Sequence, residues 1–171
     1  LDSEAVVKCV REFSDPTAVI VKHTSPCGAA SSDSLESAFR KAYEADSLSA
    51  FGGIIGLNRE LDAYTAKLIA EHFFEVVVAP AYSAAALEIL GSKSNLRLIE
   101  FPEALYDEAL EFRSTGFGIL AQTSSREELT RDRLEVVSKR VPRDSEFNDA
   151  LFAWRVCKHV KSNAIVIAKN M

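Results

Sequence analysis

A lysine and a histidine stand side by side at the end of a short apolar run. Ala18 to Val21 is apolar and lies between proline- and glycine-containing stretches, a pattern typical of a buried strand. Lys22 and His23 follow directly. Since open α/β sheets bind ligands at the carboxyl ends of strands, both side chains are candidate catalytic residues. A protonated Lys22 could stabilise an oxyanion or donate a proton, and His23 could act as a base or proton shuttle. The alternative is a strand end whose polar side chains simply reach water.

Three further positions have residue types that suit a ligand. Gly52 and Gly53 precede an apolar pair and suggest backbone that turns sharply or approaches a ligand closely, although they match neither common phosphate-binding glycine motif. Glu75 stands just before a buried strand and could accept hydrogen bonds from ligand hydroxyls or an amine. Asn163 lies between a helical and an extended segment. The alternatives are a structural turn, a solvated boundary carboxylate and a helix-terminating asparagine, respectively.

The elements that must position these residues follow from hydrophobic periodicity. Helical spacing predicts helices over about Ser3–Phe13, Asp33–Ala45, Tyr64–Phe74, Ser83–Leu90 and Ser145–Lys161. Short apolar runs predict strands over Ala18–Lys22, Ile54–Ile55, Val76–Pro80, Leu96–Phe101 and Ala164–Ala168, with a turn from His23 to Gly28. Phe112–Gln122 and Leu134–Ser138 are also predicted to be extended, and the charge run Arg126–Arg133 to be a solvated loop or short turn. This alternation predicts one three-layer α/β domain with a mainly parallel sheet.

Several single residues carry structural expectations. Asp62 is predicted to cap a helix at its start, as is Ser3, and Gly91 to end one at the C′ position. Trp154 is predicted to lie in the core. His72 and His159 lie within helical patterns, so we expect them to be structural or exposed.

Composition limits the class of protein. The chain has 171 residues, 47% of them hydrophobic, which suits one domain with a substantial core. A formal charge of −5 argues against a nucleic-acid surface, and no apolar run is long enough to span a membrane. The three cysteines form no CxxC motif and predict free thiols in a reducing, cytoplasmic compartment. The chain opens at Leu1 and stops just after a predicted strand, so we expect a segment of a longer protein.

A zinc deaminase site is excluded by its missing ligands. Pro26-Cys27 resembles the start of a PCxxC motif, but the second cysteine position is Ala30. His23 is followed by Thr24 and Ser25, so the HxE motif is absent as well.

Four ordered blocks together resemble one enzyme family. The segment from Val19 to Ala30 (VIVKHTSPCGAA) is similar to the Lys-His segment of AICAR transformylases, the folate-dependent domain of bifunctional purine biosynthesis proteins that also carry IMP cyclohydrolase. Blocks similar to those of the same family follow in order: Ser49–Ile55 with Asn58–Asp62, Phe74–Pro80 and Lys161–Lys169. Nearly the whole chain is covered.

The resemblance implies a cytidine-deaminase-like α/β/α fold without zinc. It also implies that a formyl group passes from 10-formyltetrahydrofolate to the 5-amino group of AICAR, giving formyl-AICAR and tetrahydrofolate. Lys22 would be the general acid or oxyanion stabiliser, and His23 would assist proton transfer and contact the nucleotide. Gly52 would present backbone to AICAR, Glu75 would accept from the nucleotide, and Asn163 would hold it.

The resemblance also implies that residues 1–171 correspond to the first part of the transformylase domain, and we expect neither the cyclohydrolase domain nor the second transformylase half among them. We therefore expect half of an active site, and little or no activity from the chain alone. The family implies a homodimer in the full-length protein and a potassium ion near Ser162, several of whose ligands would lie outside this chain. The alternatives are a nucleotide-binding module without catalysis and a purely structural domain.

Overall fold

The structure is a computed structural model and describes residues 1–102, 110–125 and 127–171. Its helices are α1 (Asp2–Val10), α2 (Leu35–Ala45), α3 (Ser47–Ala50), α4 (Ala63–Ala70), α5 (Ala84–Gly91) and α6 (Asp144–Cys157). Its strands are β1 (Thr17–Lys22), β2 (Ser25–Ser31), β3 (Ile54–Leu57), β4 (Val76–Ala79), β5 (Arg97–Glu100), β6 (Leu110–Thr115) and β7 (Gly118–Thr123). A 3-10 turn covers Arg131–Arg133 within the predicted charge run, of which Arg126 lies outside the described residues.

Within the described residues, β1 to β5 form one sheet in the order β2-β1-β3-β4-β5. β3, β4 and β5 pair in parallel, and β1 is antiparallel to both of its neighbours. β2 therefore points the same way as β3, β4 and β5, which confirms the mainly parallel sheet. The remaining two described strands, β6 and β7, pair as a separate antiparallel hairpin.

Helices cover both faces of the sheet and confirm the α/β/α layering. On one face, α1 packs with Val19 and Val21 of β1. On the other face, Ile20 of β1 packs into a cluster with residues of α2, α4 and α5. Successive side chains of a strand point to opposite faces, so an apolar run is what a strand buried on both sides requires.

The prediction of a turn over His23–Gly28 is wrong, because these residues begin an antiparallel hairpin. Lys22 and Ser25 are partners, so only His23 and Thr24 form the loop. β2 is an edge strand with a register shift opposite Ile20 and Val21. An edge strand or a bulge tolerates proline, which explains why Pro26, a typical turn residue, lies within a strand here.

Helix ends follow the predicted caps in part. The Ser34, Asp62 and Ser83 side chains accept backbone N–H groups at the starts of α2, α4 and α5. Ser3 is not a cap because α1 already begins at Asp2. Gly91 is the last residue of α5 rather than its C′ residue.

Two predicted strands are not formed. Leu134–Ser138 is irregular, and so is Ala164–Ala168. The latter still alternates: Val166 and Ala168 pack against the Phe13–Phe152–Val156 cluster, whereas Ile165 and Ile167 are 86% and 93% exposed. The segment is therefore extended in its burial pattern, but it pairs with none of the described strands, so the predicted strand is wrong.

Candidate active site

The Lys22–His23 pair lies at one end of the sheet, but not the end that the parallel-sheet rule indicates. β1 ends where β3 begins, since Val21 is the partner of Ile54, and Ile54 is the partner of Val76 at the start of β4. The reversed direction of β1 therefore brings its carboxyl end to the amino ends of the parallel strands. The candidate residues that precede β3 and β4 lie at this same end of the sheet. This end carries the amino ends of the parallel strands, however, so the prediction that the site lies at their carboxyl ends is wrong.

Lys22 is anchored on the turn before β3. Its half-buried side chain donates from Nζ to the Phe51 carbonyl. A Cβ atom added at Gly52 would lie 3.7 Å from the same Nζ. Lys22 and Gly52, which lie 30 positions apart, are therefore neighbours in the structure.

Gly52 has a conformation and an environment that require glycine. Its φ of +67° lies in the left-handed region, which residues with a Cβ rarely adopt. Its N–H donates to the Phe73 carbonyl over 2.9 Å. An added Cβ would lie 3.3 Å from Cε1 of Phe73, tighter than ordinary van der Waals contact. The predicted sharp turn is present and the group that closely approaches Gly52 is Phe73, whereas close approach to a ligand stays a prediction.

His23 occupies a strained two-residue turn. His23 and Thr24 have φ values of 53° and 63°, the pattern of a type I′ hairpin turn that normally favours asparagine and glycine. A β-branched threonine in this region is an outlier. His23 is exposed, so the turn presents an imidazole at the rim of the sheet beside Lys22.

Glu75 is fixed through its backbone between two neighbouring strands. Its N–H donates to the Gly53 carbonyl over 3.2 Å, and its carbonyl accepts from Arg97 N over 3.0 Å. Its side chain is exposed. The carboxylate therefore stands free to meet a ligand at the end of the sheet that carries Lys22 and Gly52.

Asn163 is linked to this region only through Lys161, its near neighbour in the chain, which contacts the His23 turn. It is exposed, and no hydrogen bond between described residues joins it to Lys22, Gly52 or Glu75. Two positions earlier, Lys161 donates from Nζ to the His23 carbonyl over 3.1 Å. The sequence reasoning missed Lys161 as a site residue, although it opens the fourth block of the family resemblance. The amide of Asn163 is thus near the site along the chain but is not placed in contact with it.

Burial raises the pKa of two of the three thiols. Cys9, Cys27 and Cys157, all within the described ranges, are free. Burial raises the pKa of the Cys27 thiol, and the Asp46 carboxylate raises it further. Burial likewise raises the pKa of Cys9 far above its usual range. Neutral thiols are poor nucleophiles, so Cys9 and Cys27 do not suit nucleophilic attack, and the candidate groups at this site are the side chains of Lys22, His23 and Glu75.

Among the described residues, no group of three or more His, Cys, Asp or Glu residues could hold a metal ion. Ser162, near which the resemblance implies a potassium ion, is exposed, and that ion stays a prediction. None of the helices formed by the described residues combines the length and the hydropathy of a membrane span.

A separate cleft of about 620 Å³ lies between α1, α6 and the β6–β7 hairpin. Its charges pair with each other: the Glu12 carboxylate accepts from Lys158 over 2.8 Å and lies 3.1 Å from His159 Nε2. Trp154 lines this cleft and is 49% exposed, so its prediction as a core residue is wrong.

His159 is structural, as predicted, and His72 stacks on Tyr43 with ring centroids 4.0 Å apart.

Comparison with known proteins gives one family. The model of the family described as AICARFT/IMPCHase bienzyme matches residues 1–171. The bifunctional purine biosynthesis protein PurH of Chlorobium phaeobacteroides (strain BS1) is 48% identical over 172 residues, covering 99% of this chain and 33% of that protein. PurH of Thermoanaerobacter sp. (strain X514) is 44% identical over 169 residues, with the same coverage of 99% and 33%. The chain thus spans about a third of the length of these curated relatives.

Two solved structures are similar to parts of the chain. A dCMP deaminase from the cyanophage S-TIM5 has a TM-score of 0.48 at 15% identity, covering 58% of this chain and 96% of that one. Acinetobacter baumannii RibD has a TM-score of 0.43 at 16% identity, covering 57% and 32%. Likenesses of this strength carry no conclusion about activity.

Proposed function

Because this chain belongs to the AICARFT/IMPCHase bienzyme family, we propose that it supplies the Lys-His part of an active site for purine biosynthesis. The reaction is transfer of a formyl group from 10-formyltetrahydrofolate to the 5-amino group of AICAR. The chain corresponds to the first part of the transformylase domain. The observation that carries the proposal is the anchoring of the Lys22 ammonium on the Phe51–Gly52 turn, at the sheet end that also presents His23 and Glu75.

The chemistry gives each residue a task. The AICAR amine is a weak nucleophile because its lone pair is delocalised into the carboxamide-bearing imidazole. It attacks the formyl carbon, a C–N bond forms, and the carbonyl oxygen becomes an oxyanion that the Lys22 ammonium stabilises. His23 accepts the proton that the amine nitrogen loses. The tetrahedral intermediate then collapses, the bond from the formyl carbon to N10 of the folate breaks, and N10 takes the proton that His23 accepted and leaves as tetrahydrofolate.

The remaining candidates bind rather than react. Gly52 presents backbone to the nucleotide, and the exposed Glu75 carboxylate accepts hydrogen bonds from the nucleotide. Asn163 holds the nucleotide from the segment after α6. Two ammonium groups, those of Lys22 and Lys161, lie close to the His23 turn, and this positive charge favours an anionic substrate.

The site is incomplete in this chain, and the full-length protein acts as a homodimer in this proposal. Exposed apolar side chains on the β6–β7 hairpin support a missing partner surface: Phe112 is 68% exposed and Ile119 is 71% exposed. A two-stranded hairpin is marginally stable by itself, so it gains from being covered. A potassium ion stays a prediction, and no step depends on it.

The test is formyl transfer by the chain extended to the full length of its relatives. Lys22→Ala should lower kcat by about 10²–10³-fold, the usual effect of losing one oxyanion donor. Lys67→Ala is the control, since Lys67 is an exposed lysine on α4. Wild-type turnover by Lys22→Ala would refute the proposed role. If the extended protein binds AICAR but never transfers a formyl group, the alternative function, a nucleotide-binding module without catalysis, is correct.

A further inference from the structure

Phe73, between α4 and β4, is a large aromatic residue with no task in the proposed chemistry. It remains 47% exposed, and so does its neighbour in space, Phe51, at 63%. Their ring centroids are 5.1 Å apart. The pair Phe73-Phe74 before an apolar strand reads as core in the sequence, but only Phe74 is buried. An exposed ring packed beside the Lys22 anchor calls for an explanation other than core formation.

Two contacts tie Phe73 to the turn that anchors Lys22. Its carbonyl accepts the Gly52 N–H over 2.9 Å. Its ring covers Gly52 closely enough that an added Cβ would be 3.3 Å from Cε1. The Phe51 carbonyl, which belongs to the peptide unit between Phe51 and Gly52, accepts from Lys22. Fixing the N–H of that peptide unit also fixes the direction of its carbonyl, because the unit is planar.

We infer that Phe73 is a positioning residue for Lys22: its ring, which covers the Phe51–Gly52 peptide already hydrogen-bonded to the Phe73 carbonyl, holds that peptide so that the Phe51 carbonyl keeps the Lys22 ammonium in place. The inference rests on the proposed function, because it assigns the purpose of this placement to the transfer reaction. Lysine is a flexible side chain whose single charged group has no planar fork to orient it. The placement of its ammonium therefore depends on how rigid its acceptor is.

The main strand pairing beside the site does not depend on the Phe73 ring. Glu75 N donates to the Gly53 carbonyl, and β3 pairs with β4 from Ile54 and Val76 onward. Loss of the half-exposed ring should therefore loosen the turn without unfolding the sheet. A merely structural Phe73 would change stability and leave the Lys22 ammonium as ordered as before.

The first test follows the Lys22 ammonium in this chain by 15N relaxation of lysine side chains. The signal is assigned by its loss in Lys22→Arg. In the parent chain we expect Lys22 to be more ordered than the exposed Lys93. Phe73→Ala should remove most of that difference, and Phe73→Leu, which keeps an apolar contact with Gly52, should retain part of it. Tyr64→Ala is the matched control, because Tyr64 is a 73% exposed aromatic residue on α4. Unchanged Lys22 order in Phe73→Ala overturns the inference.

The second test separates this inference from the proposed function. In the full-length protein, Phe73→Ala should lower kcat by about tenfold or more and move the KM for folate by less than about twofold, as expected for a misplaced catalytic group. If Lys22→Ala abolishes transfer and Phe73→Ala does not lower kcat, only the positioning role is overturned. If Lys22→Ala itself keeps full activity, the proposed function is wrong, and the positioning role of Phe73, which depends on it, is wrong as well.

Discussion

At the scale of single residues, the turn that presents His23 carries backbone strain. His23 and Thr24 both have left-handed φ values, which cost residues with a Cβ about 1–2 kcal/mol each. Strain of this kind persists where the surrounding structure fixes it, and it often marks functional sites. Glycine at either position would relieve the strain, but only replacement of His23 would remove a group that the proposed chemistry uses.

We therefore predict that His23→Gly and Thr24→Gly have different effects on formyl transfer but change the free energy of unfolding in the same direction. Each should leave the free energy of unfolding unchanged or raise it by up to about 1 kcal/mol, because glycine adopts φ > 0 freely but loses more entropy on folding. Urea unfolding measures this. In the full-length protein, Thr24→Gly should retain formyl transfer and His23→Gly should lose most of it. Equal activity in the two variants would remove His23 from the mechanism.

Replacing Gly52 by a residue with a Cβ should lower the free energy of unfolding, whereas the two substitutions to glycine above should not. Gly52→Ala places a Cβ in a left-handed position, 3.3 Å from the Phe73 ring, so it should lower the free energy of unfolding by about 1–2 kcal/mol or more. Gly116→Ala is the control, since no atom lies within 4 Å of an added Cβ there. Chemical denaturation of both variants measures the difference, and an equal effect of the two substitutions would contradict the assigned role of Gly52.

At the scale of elements, α1 and α6 are joined by a small ionic cluster. Burial alone would raise the pKa of Glu12, but hydrogen bonds from His159 and Lys158 outweigh it, and the pKa lies below its usual value of 4.5. The folded state therefore favours the carboxylate. The stabilisation is present above the unfolded-state pKa and is lost as the pH falls through the lower folded-state pKa.

The corresponding prediction concerns acid unfolding. Glu12→Gln should be less stable than the parent chain at pH 7, and the difference should shrink as the pH falls below about 4.5, where the unfolded parent chain takes up a proton. Denaturation at a series of pH values measures it. Glu60→Gln, at an exposed carboxylate in the loop after β3, is the control. A stability difference that stays constant down to pH 2 would show that Glu12 acts through something other than its charge.

Local patterns predicted most of these elements, and long-range pairing explains what they missed. The helix start at Asp62 and the buried strand after Glu75 could be read directly, because capping and burial leave short signatures. The β1–β2 hairpin could not, since Pro26 and Gly28 are typical of turns and only pairing with β1 makes their segment a strand. Helix α2 approaches so closely that a Cβ at Gly28 would lie 2.0 Å from the Ala42 carbonyl oxygen. That close contact explains a glycine which the sequence alone assigns to a turn.

In the candidate site, too, local sequence predicted the residue types, whereas the long-range contacts could not be predicted from it. Residue types at Lys22, His23, Gly52 and Glu75 were readable, and the structure brings all four to one end of the sheet. The contact between Lys161 and His23 joins residues 138 positions apart, so no local pattern could reveal it. The direction of β1 was equally hidden, because an apolar run reads the same in parallel and antiparallel pairing.

At the scale of the whole molecule, the described residues form a core beneath the candidate site. Buried residues from α1, α2, α4 and α5 pack on both faces of the sheet, around the strand that leads to Lys22. The chain spans about a third of the length of its curated relatives, and His23 and Glu75 are exposed at one end of the sheet. The proposed function makes this chain half of a site, which should bind a substrate weakly without turning it over.

The most direct test is calorimetric titration of AICAR into this chain, with Lys22→Ala and the control Lys67→Ala alongside. We predict weak binding by the parent chain and by Lys67→Ala, and affinity for AICAR at least about tenfold lower in Lys22→Ala, since a charged contact contributes roughly 1.5–3 kcal/mol. That result would place the nucleotide at the sheet end that carries Lys22. Equal affinities in the parent chain and Lys22→Ala, or no binding by the parent chain, would contradict the account.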